Sequence, residues 1–287
     1  MHPLQNADAA VIYILGQSNA HGHGQVLADE DRICQPLRHV FSLDRKENQA
    51  FGLDHITWSG YTTQGKNLGE TQDDRYCFAY YLATAWEKAI ASGVSLPDLY
   101  IVQISIGAQS ILNGMWNPAW PKSIRPGTWE TSDISLYPLA MEILPLVHKD
   151  LSQRYQNPRA IGLHWIGSEE DTIPNTVYPA DFSQRYDHFF DTILRAVGFA
   201  CPVSFYEISC TRREGFDKEG IKIVNKELFR QADRLNATMV RLKESPLWDE
   251  ADDQQGVFCG DYCHYSAATQ KWLVEHFWQN LMHASLP

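Results

Sequence analysis

No run in this chain approaches the ~20 consecutive apolar residues that a membrane-spanning helix needs, so no transmembrane anchor is expected. Positive charge is also in short supply. Lys and Arg number 24 against 35 Asp and Glu, a net charge of −11, and a surface of that sign repels nucleic acid and anionic membrane at long range. Neither is expected as a partner, and acidic polysaccharides are disfavoured on the same ground. The opening residues, Met1 to Asp8, lack the basic stretch and apolar core of a secretion signal, which favours a soluble, cytoplasmic chain. The six cysteines, Cys34, Cys77, Cys201, Cys210, Cys259 and Cys263, are scattered through a chain large enough not to need disulfide staples, and are read as free thiols. Cys259 and Cys263, with Asp261 and His264 beside them, resemble half of a zinc site. The other half is missing, because Cys201 and Cys210 are too widely spaced to supply it, and no metal is expected.

What the chain does have is apolar and aromatic side chains, 44% and 12% of its 287 residues, enough for one sizeable core. No shift in composition divides it, so residues 1–287 are expected to form a single domain. Short apolar runs predict strands at Ala9–Leu15, Leu99–Ile106, Ala160–Ile166, Pro202–Ile208 and Thr238–Leu242, with Leu37–Leu43 as a further candidate. Helical spacing predicts helices at Gln72–Ser92, Leu136–Leu151, Asp181–Val197, Lys218–Leu235 and Ser266–His283. Pro138 and Pro145 should make the second of these start late or kink. The alternation of strand and helix predicts a three-layer α/β/α domain with a mainly parallel, five-stranded sheet. Two long polar stretches, Asp44–Glu70 and Asn113–Asp133, are expected to be loops that shape a pocket.

The first strand runs almost without a linker into Gly16-Gln17-Ser18-Asn19. In a parallel sheet that turn lies at the carboxyl edge, where open α/β folds bind their ligands. Gly16 permits a sharp turn, and backbone N–H groups at a following helix start can face a developing negative charge. Ser18 is therefore a candidate nucleophile, with Gln17 and Asn19 as candidate substrate-binding amides. Taken alone, the four residues read first as an ordinary loop ending in a helix cap. Two other strand ends bear polar or glycine-containing loops: Gly107-Ala108-Gln109-Ser110 and Gly167-Ser168-Glu169-Glu170-Asp171. Trp116, Trp120 and Trp129 follow the first of these. They are candidates either for stacking on sugar rings or for covering the core, and Trp116 is taken as the substrate-binding candidate. The base that a serine nucleophile requires is best supplied by His264. Asp261, three residues earlier, is placed to orient the imidazole and stabilise its cation.

Gly16-Gln17-Ser18-Asn19 near the start and Asp261-x-x-His264 near the end resemble the first and last blocks of the SGNH hydrolases. More narrowly, the chain is similar to the carbohydrate-esterase group containing sialate O-acetylesterases and acetylxylan esterases. The resemblance extends from about Val11 to the final helix. It implies a flavodoxin-like fold that hydrolyses O-acetyl esters on sugars without metal or organic cofactor, with acetylated carbohydrate or another small ester as substrate. Ser18 would then be nucleophile and His264 base. The oxyanion hole would be formed by the N–H of Ser18, a backbone N–H of the Gly107-Ala108 turn and a side-chain amide.

The chain departs from this pattern at one place. Where the family commonly has His-Gln-Gly-Glu, it has Ile166-Gly167-Ser168-Glu169, so the usual amide donor is absent at Gly167. Gln109 is a candidate replacement, with Gln17 and Asn19 as further options. Glu169 keeps its motif position and competes with Asp261 to orient His264; the local spacing favours Asp261. Asp171 and Arg195 match outlying family positions and are read as structural. A carbohydrate-binding protein on a weakened hydrolase fold is the alternative function.

Overall fold

The computed structural model describes residues 4, 6–48, 50–63, 67–68, 74–119, 135–211, 214–249 and 256–283. Its strands, in chain order, are β1 (Ala9–Gly16), β2 (Val40–Leu43), β3 (Trp58–Gly60), β4 (Asn67–Leu68), β5 (Asp98–Ser105), β6 (Pro158–Ile166), β7 (Val203–Tyr206) and β8 (Thr238–Val240). The helices are α1 (Ser18–His21), α2 (Arg45–Asn48), α3 (Phe78–Ala91), α4 (Leu136–Arg154), α5 (Phe182–Val197), α6 (Lys218–Leu235) and α7 (Ala267–His283).

Among the described residues the sheet has eight strands, seven in the order β3-β2-β5-β1-β6-β7-β8 and the two-residue β4 pairing β5 off that path. This corrects the expected five. All pairs are parallel except β2 with β3. The additional strands β3 and β4 lie in the polar stretch expected to be a loop. At three and two residues they are too short to show an alternating pattern, and only pairing with a neighbour defines them.

β1 is the central strand, flanked by β5 and β6, and all eight of its residues are buried. A strand covered on both faces must be apolar throughout, which is why Ala9 to Leu15 contains no charge. α3 packs with α7, while α4 packs with α5 and α5 with α6, so helices form the outer layers of an α/β/α arrangement. α6 is capped by Asp217, whose carboxylate accepts from the N–H groups of Glu219 and Gly220, both at 3.1 Å. That cap satisfies two donors at the helix start.

Two helices differ from expectation. α3 begins at Phe78 rather than Gln72, which lies outside the described residues. The preceding residues are extended because Leu27 N–H bonds the Asp74 carbonyl and Tyr76 N–H the Gln25 carbonyl. α4 runs continuously from Leu136 with Pro145 inside it. Pro138 falls in its first turn, where a missing N–H removes no intrahelical bond.

Register determines the site. Gly16 lies opposite Ser105 of β5 and Ile166 of β6. The loops that leave all three strands therefore share one edge.

Candidate active site

Gly16 makes the turn possible. Its φ is +145°, and a Cβ there would fall 1.9 Å from the carbonyl oxygen of Ile166, so no other residue allows β1 and β6 to end this close together. The N–H of Gln17 donates to that same carbonyl at 3.0 Å, and Ser18 opens α1 as a buried residue. As the first helical residue, Ser18 has an N–H with no acceptor inside the helix.

Asn19 ties this turn to the C-terminal loop. Its Nδ2 donates to Glu169 Oε1 at 2.8 Å and to the carbonyl of Cys263 at 3.1 Å, and its Oδ1 accepts from the N–H of Tyr265 at 2.9 Å. Gln270 of α7 donates to the Asn19 carbonyl at 2.9 Å. The bonds to residues 263 and 265 bracket His264 and hold it beside the Ser18 turn. Removing one partner from such a buried network costs about 1–3 kcal/mol. Both Nδ2 protons have partners, so in this arrangement the Asn19 amide acts as a brace between the two loops.

His264 Nδ1 is hydrogen bonded to Asp261 Oδ2, while Asp261 Oδ1 accepts from the N–H groups of Cys263 at 3.1 Å and His264 at 3.0 Å. Burial alone would raise the Asp261 carboxyl, but the bonds from His264 and the two backbone donors hold it well below the usual carboxylate range. It remains a carboxylate facing the imidazole. Glu169 differs. Its Oε1 accepts from Asn19, its Oε2 has no hydrogen-bond partner, and burial pushes its carboxyl upward against the pull of Asn19 and nearby His264. The two carboxylates both stand near His264, and it is Asp261 that bonds the ring.

The neighbouring loops are held by a third carboxylate. Asp171, fully buried, accepts from the Ser110 hydroxyl, from the N–H groups of Ile111 at 3.3 Å and Leu112 at 3.1 Å, and from the Tyr186 hydroxyl at 2.8 Å. It fixes the loop after β5 to the loop after β6. Arg195 lies at the exposed end of α5 and donates to Thr192 Oγ1 at 3.0 Å. Within the β5 loop, Ala108 adopts a left-handed φ of +54°, a conformation that costs a non-glycine residue about 1–2 kcal/mol and is often found at functional sites. Gln109 closes its own loop: Nε2 donates to the Gly107 carbonyl at 3.1 Å, and Oε1 accepts from the N–H of Met115 at 3.0 Å.

Trp116 requires a correction. It is not an exposed platform for a sugar but a fully buried ring, packed edge-on to Trp165 and Phe189 at 5.3 and 5.9 Å, with Nε1 donating to the Gly16 carbonyl at 2.8 Å. A tryptophan in a polar loop gives no sign in sequence that its loop folds inward. Trp120 and Trp129 lie outside the described residues. Gly167 also has a reason in the packing: a Cβ there would meet Gly16 Cα and the Trp165 ring, both at 3.3 Å. Gln17 is nearly fully buried, and its Oε1 has no hydrogen-bond partner.

The Gly- and His-rich residues after Ser18 bring two more histidines toward His264. His23 lies 5.8 Å from the His264 ring and 4.9 Å from the His21 ring, between centroids. The Gly- and His-rich composition of residues 20–25 was the only sign of this cluster. Cys259 Sγ faces the Tyr265 carbonyl at 3.7 Å, and among the described residues no three His, Cys, Asp or Glu side chains gather as metal ligands do.

This fold is shared with NanS. The solved structure of NanS superposes with a TM-score of 0.61 over 95% of this chain and 98% of that one, at 16% identity. A protein of known structure from Arabidopsis thaliana follows at 0.56, covering 96% and 99% at 13% identity. An acetyl xylan esterase aligns over 69% of this chain and 89% of its own at a TM-score of 0.42 and 13% identity, too loose a match to support an argument. No protein-family model and no curated protein sequence matches the chain. The agreement with NanS over nearly the whole of both chains is an agreement of fold. Among the described residues, no helix is long and apolar enough to cross a membrane.

Proposed function

We propose that the chain is a serine esterase that cleaves O-acetyl esters, with acetylated carbohydrate of the sialate or acetylxylan type as the substrate class. The observation that carries the reading is the bond between His264 Nδ1 and Asp261, on a loop braced by Asn19 against the Ser18 turn. With Nδ1 held by a carboxylate, Nε2 is the nitrogen that accepts and returns a proton. The carbohydrate class rests on the resemblance of the Gly16-Gln17-Ser18-Asn19 and Asp261-x-x-His264 blocks to the SGNH carbohydrate esterases.

In this mechanism Ser18 Oγ attacks the acetyl carbonyl while His264 Nε2 takes its proton. The tetrahedral oxyanion is met by the N–H of Ser18 and by a backbone N–H of the Gly107-Ala108 turn. As the intermediate collapses, His264 returns the proton to the departing sugar oxygen, and an acetyl group remains on Ser18. Water then attacks that ester by the same route, releasing acetate. Asp261 keeps the imidazole in the required tautomer and stabilises its cation.

An acetate-release screen over acetylated sugars, with Ser18→Ala as control, tests the reading. Release abolished by the substitution supports it. Glycan binding with no release by the unaltered protein would favour a binding protein instead.

A further inference from the structure

On the side of the sheet covered by α7 lies a cavity of about 170 Å³. Alternate residues of β6, β7 and β8 form its floor, and Leu273, Phe277 and Leu281, one helical turn apart on α7, form its roof. Pro202, Thr238 and Asn280 at its rim are exposed, so the cavity opens to solvent. It shares no lining residue with the Ser18 turn or the His264 loop.

His164 sits at its base and is only 2% exposed. Its ring stands between Phe78 and Phe277, with centroids 4.7 and 4.9 Å away, and its Nδ1 pairs with the Tyr206 hydroxyl at 2.7 Å. Nε2 has no hydrogen-bond partner. It is buried over Gly162, where a Cβ would come within 2.7 Å of it, so only a glycine leaves room for this nitrogen, and both residues line the cavity. A buried polar atom without a partner is uncommon in a folded chain and calls for an explanation.

We propose that the cavity binds a small neutral ring compound bearing a hydroxyl, of the size of phenol or a cyclic alcohol, whose hydroxyl pairs with His164 Nε2. Size sets the first limit, since a cavity of ~150 Å³ holds a benzene ring. The lining contains no Asp, Glu, Lys or Arg, so a charged ligand would be desolvated without a counter-ion. A hydroxyl both donates and accepts, and therefore suits Nε2 whichever tautomer the Tyr206 bond selects. The Phe277 and Tyr206 rings supply an aromatic wall for a flat ligand.

Phenol and benzene are the probes, titrated into protein with ¹⁵N-labelled histidine and followed by NMR and calorimetry. Phenol should bind saturably at roughly millimolar affinity or tighter and shift the His164 side-chain nitrogens. His164→Phe keeps a ring and removes Nε2, and should weaken phenol by about tenfold while leaving benzene within about twofold. Asn280→Trp, at the exposed rim, should weaken both and leaves the core untouched, so it serves if His164→Phe does not fold. No saturable shift at His164, equal loss of both probes with His164→Phe, or unchanged binding with Asn280→Trp would each overturn the assignment. These readouts are independent of ester cleavage, so the two proposals fail separately.

Discussion

His264 stands partly exposed at the carboxyl edge of the sheet with its Nδ1 on a carboxylate, whereas His164 lies buried beneath α7 with its Nδ1 on a neutral tyrosine hydroxyl. Both rings are hydrogen bonded through Nδ1. In the proposed mechanism the carboxylate partner of the first stabilises the imidazolium formed as Ser18 gives up its proton. The second has only burial, which drives its pKa down to about 3 and keeps it neutral. An imidazole becomes a base through the charge at its far nitrogen and access to a substrate. The residue type alone does not make it one.

The contrast breaks most completely if Ser18 is removed. Ser18→Ala should lower turnover of an acetyl nitrophenyl ester by ~10⁴-fold or more with an unchanged circular dichroism spectrum; retained turnover would mean that the His264 edge is not the reactive one. Next come the two carboxylates near His264. Asp261→Asn should cost ~10³–10⁴-fold in kcat, and Glu169→Gln less than ~10-fold, because the Glu169 bond to Asn19 survives as an amide bond. The reverse order would assign the orienting role to Glu169.

His164 gives the third test, through stability. Its folded pKa lies below the ordinary histidine value of 6.5, so the unfolded chain binds a proton that the folded chain refuses. Stability should be unaffected above pH 6.5 and fall as pH drops toward 3. The loss from this residue is roughly 2 kcal/mol between pH 7 and 5. Denaturant titrations at the two pH values should show it, and the His164→Phe protein should lack that increment; an equal loss in both would mean His164 is protonated in the fold. Asp261 acts at lower pH: its depressed pKa contributes stability at neutral pH that is lost only on strong acidification. The smallest effect is expected at Gln109. An oxyanion donor is worth ~10²–10³-fold in kcat, but Gln109 braces its own loop, and Gln109→Ala should cost no more than ~10-fold. A larger loss would return it to the oxyanion hole.

Much of this contrast was legible in the linear chain. The apolar strand before Gly16 and the three-residue interval from Asp261 to His264 are local features, and local chemistry decides them: a covered strand must be apolar, and an i, i+3 pair meets across one turn. The role of Asn19 was not legible. Its side chain joins residues more than 240 positions apart, and its composition is that of any turn. Trp116 was misplaced for the same reason, because burial in a long loop depends on what lies beneath it.

The amino-acid sequence by itself determined the alternation of strand and helix, the glycine turn that carries Ser18, and the pairing of Asp261 with His264, since each depends on residues within a few positions of one another. Tertiary structure alone decided the number of strands, the inward turn of Trp116 and the use of the Asn19 amide as a brace. It also left His164 Nε2 buried over Gly162 without a hydrogen-bond partner. These depend on which distant segments meet, and burial and hydrogen bonding are settled only when they do.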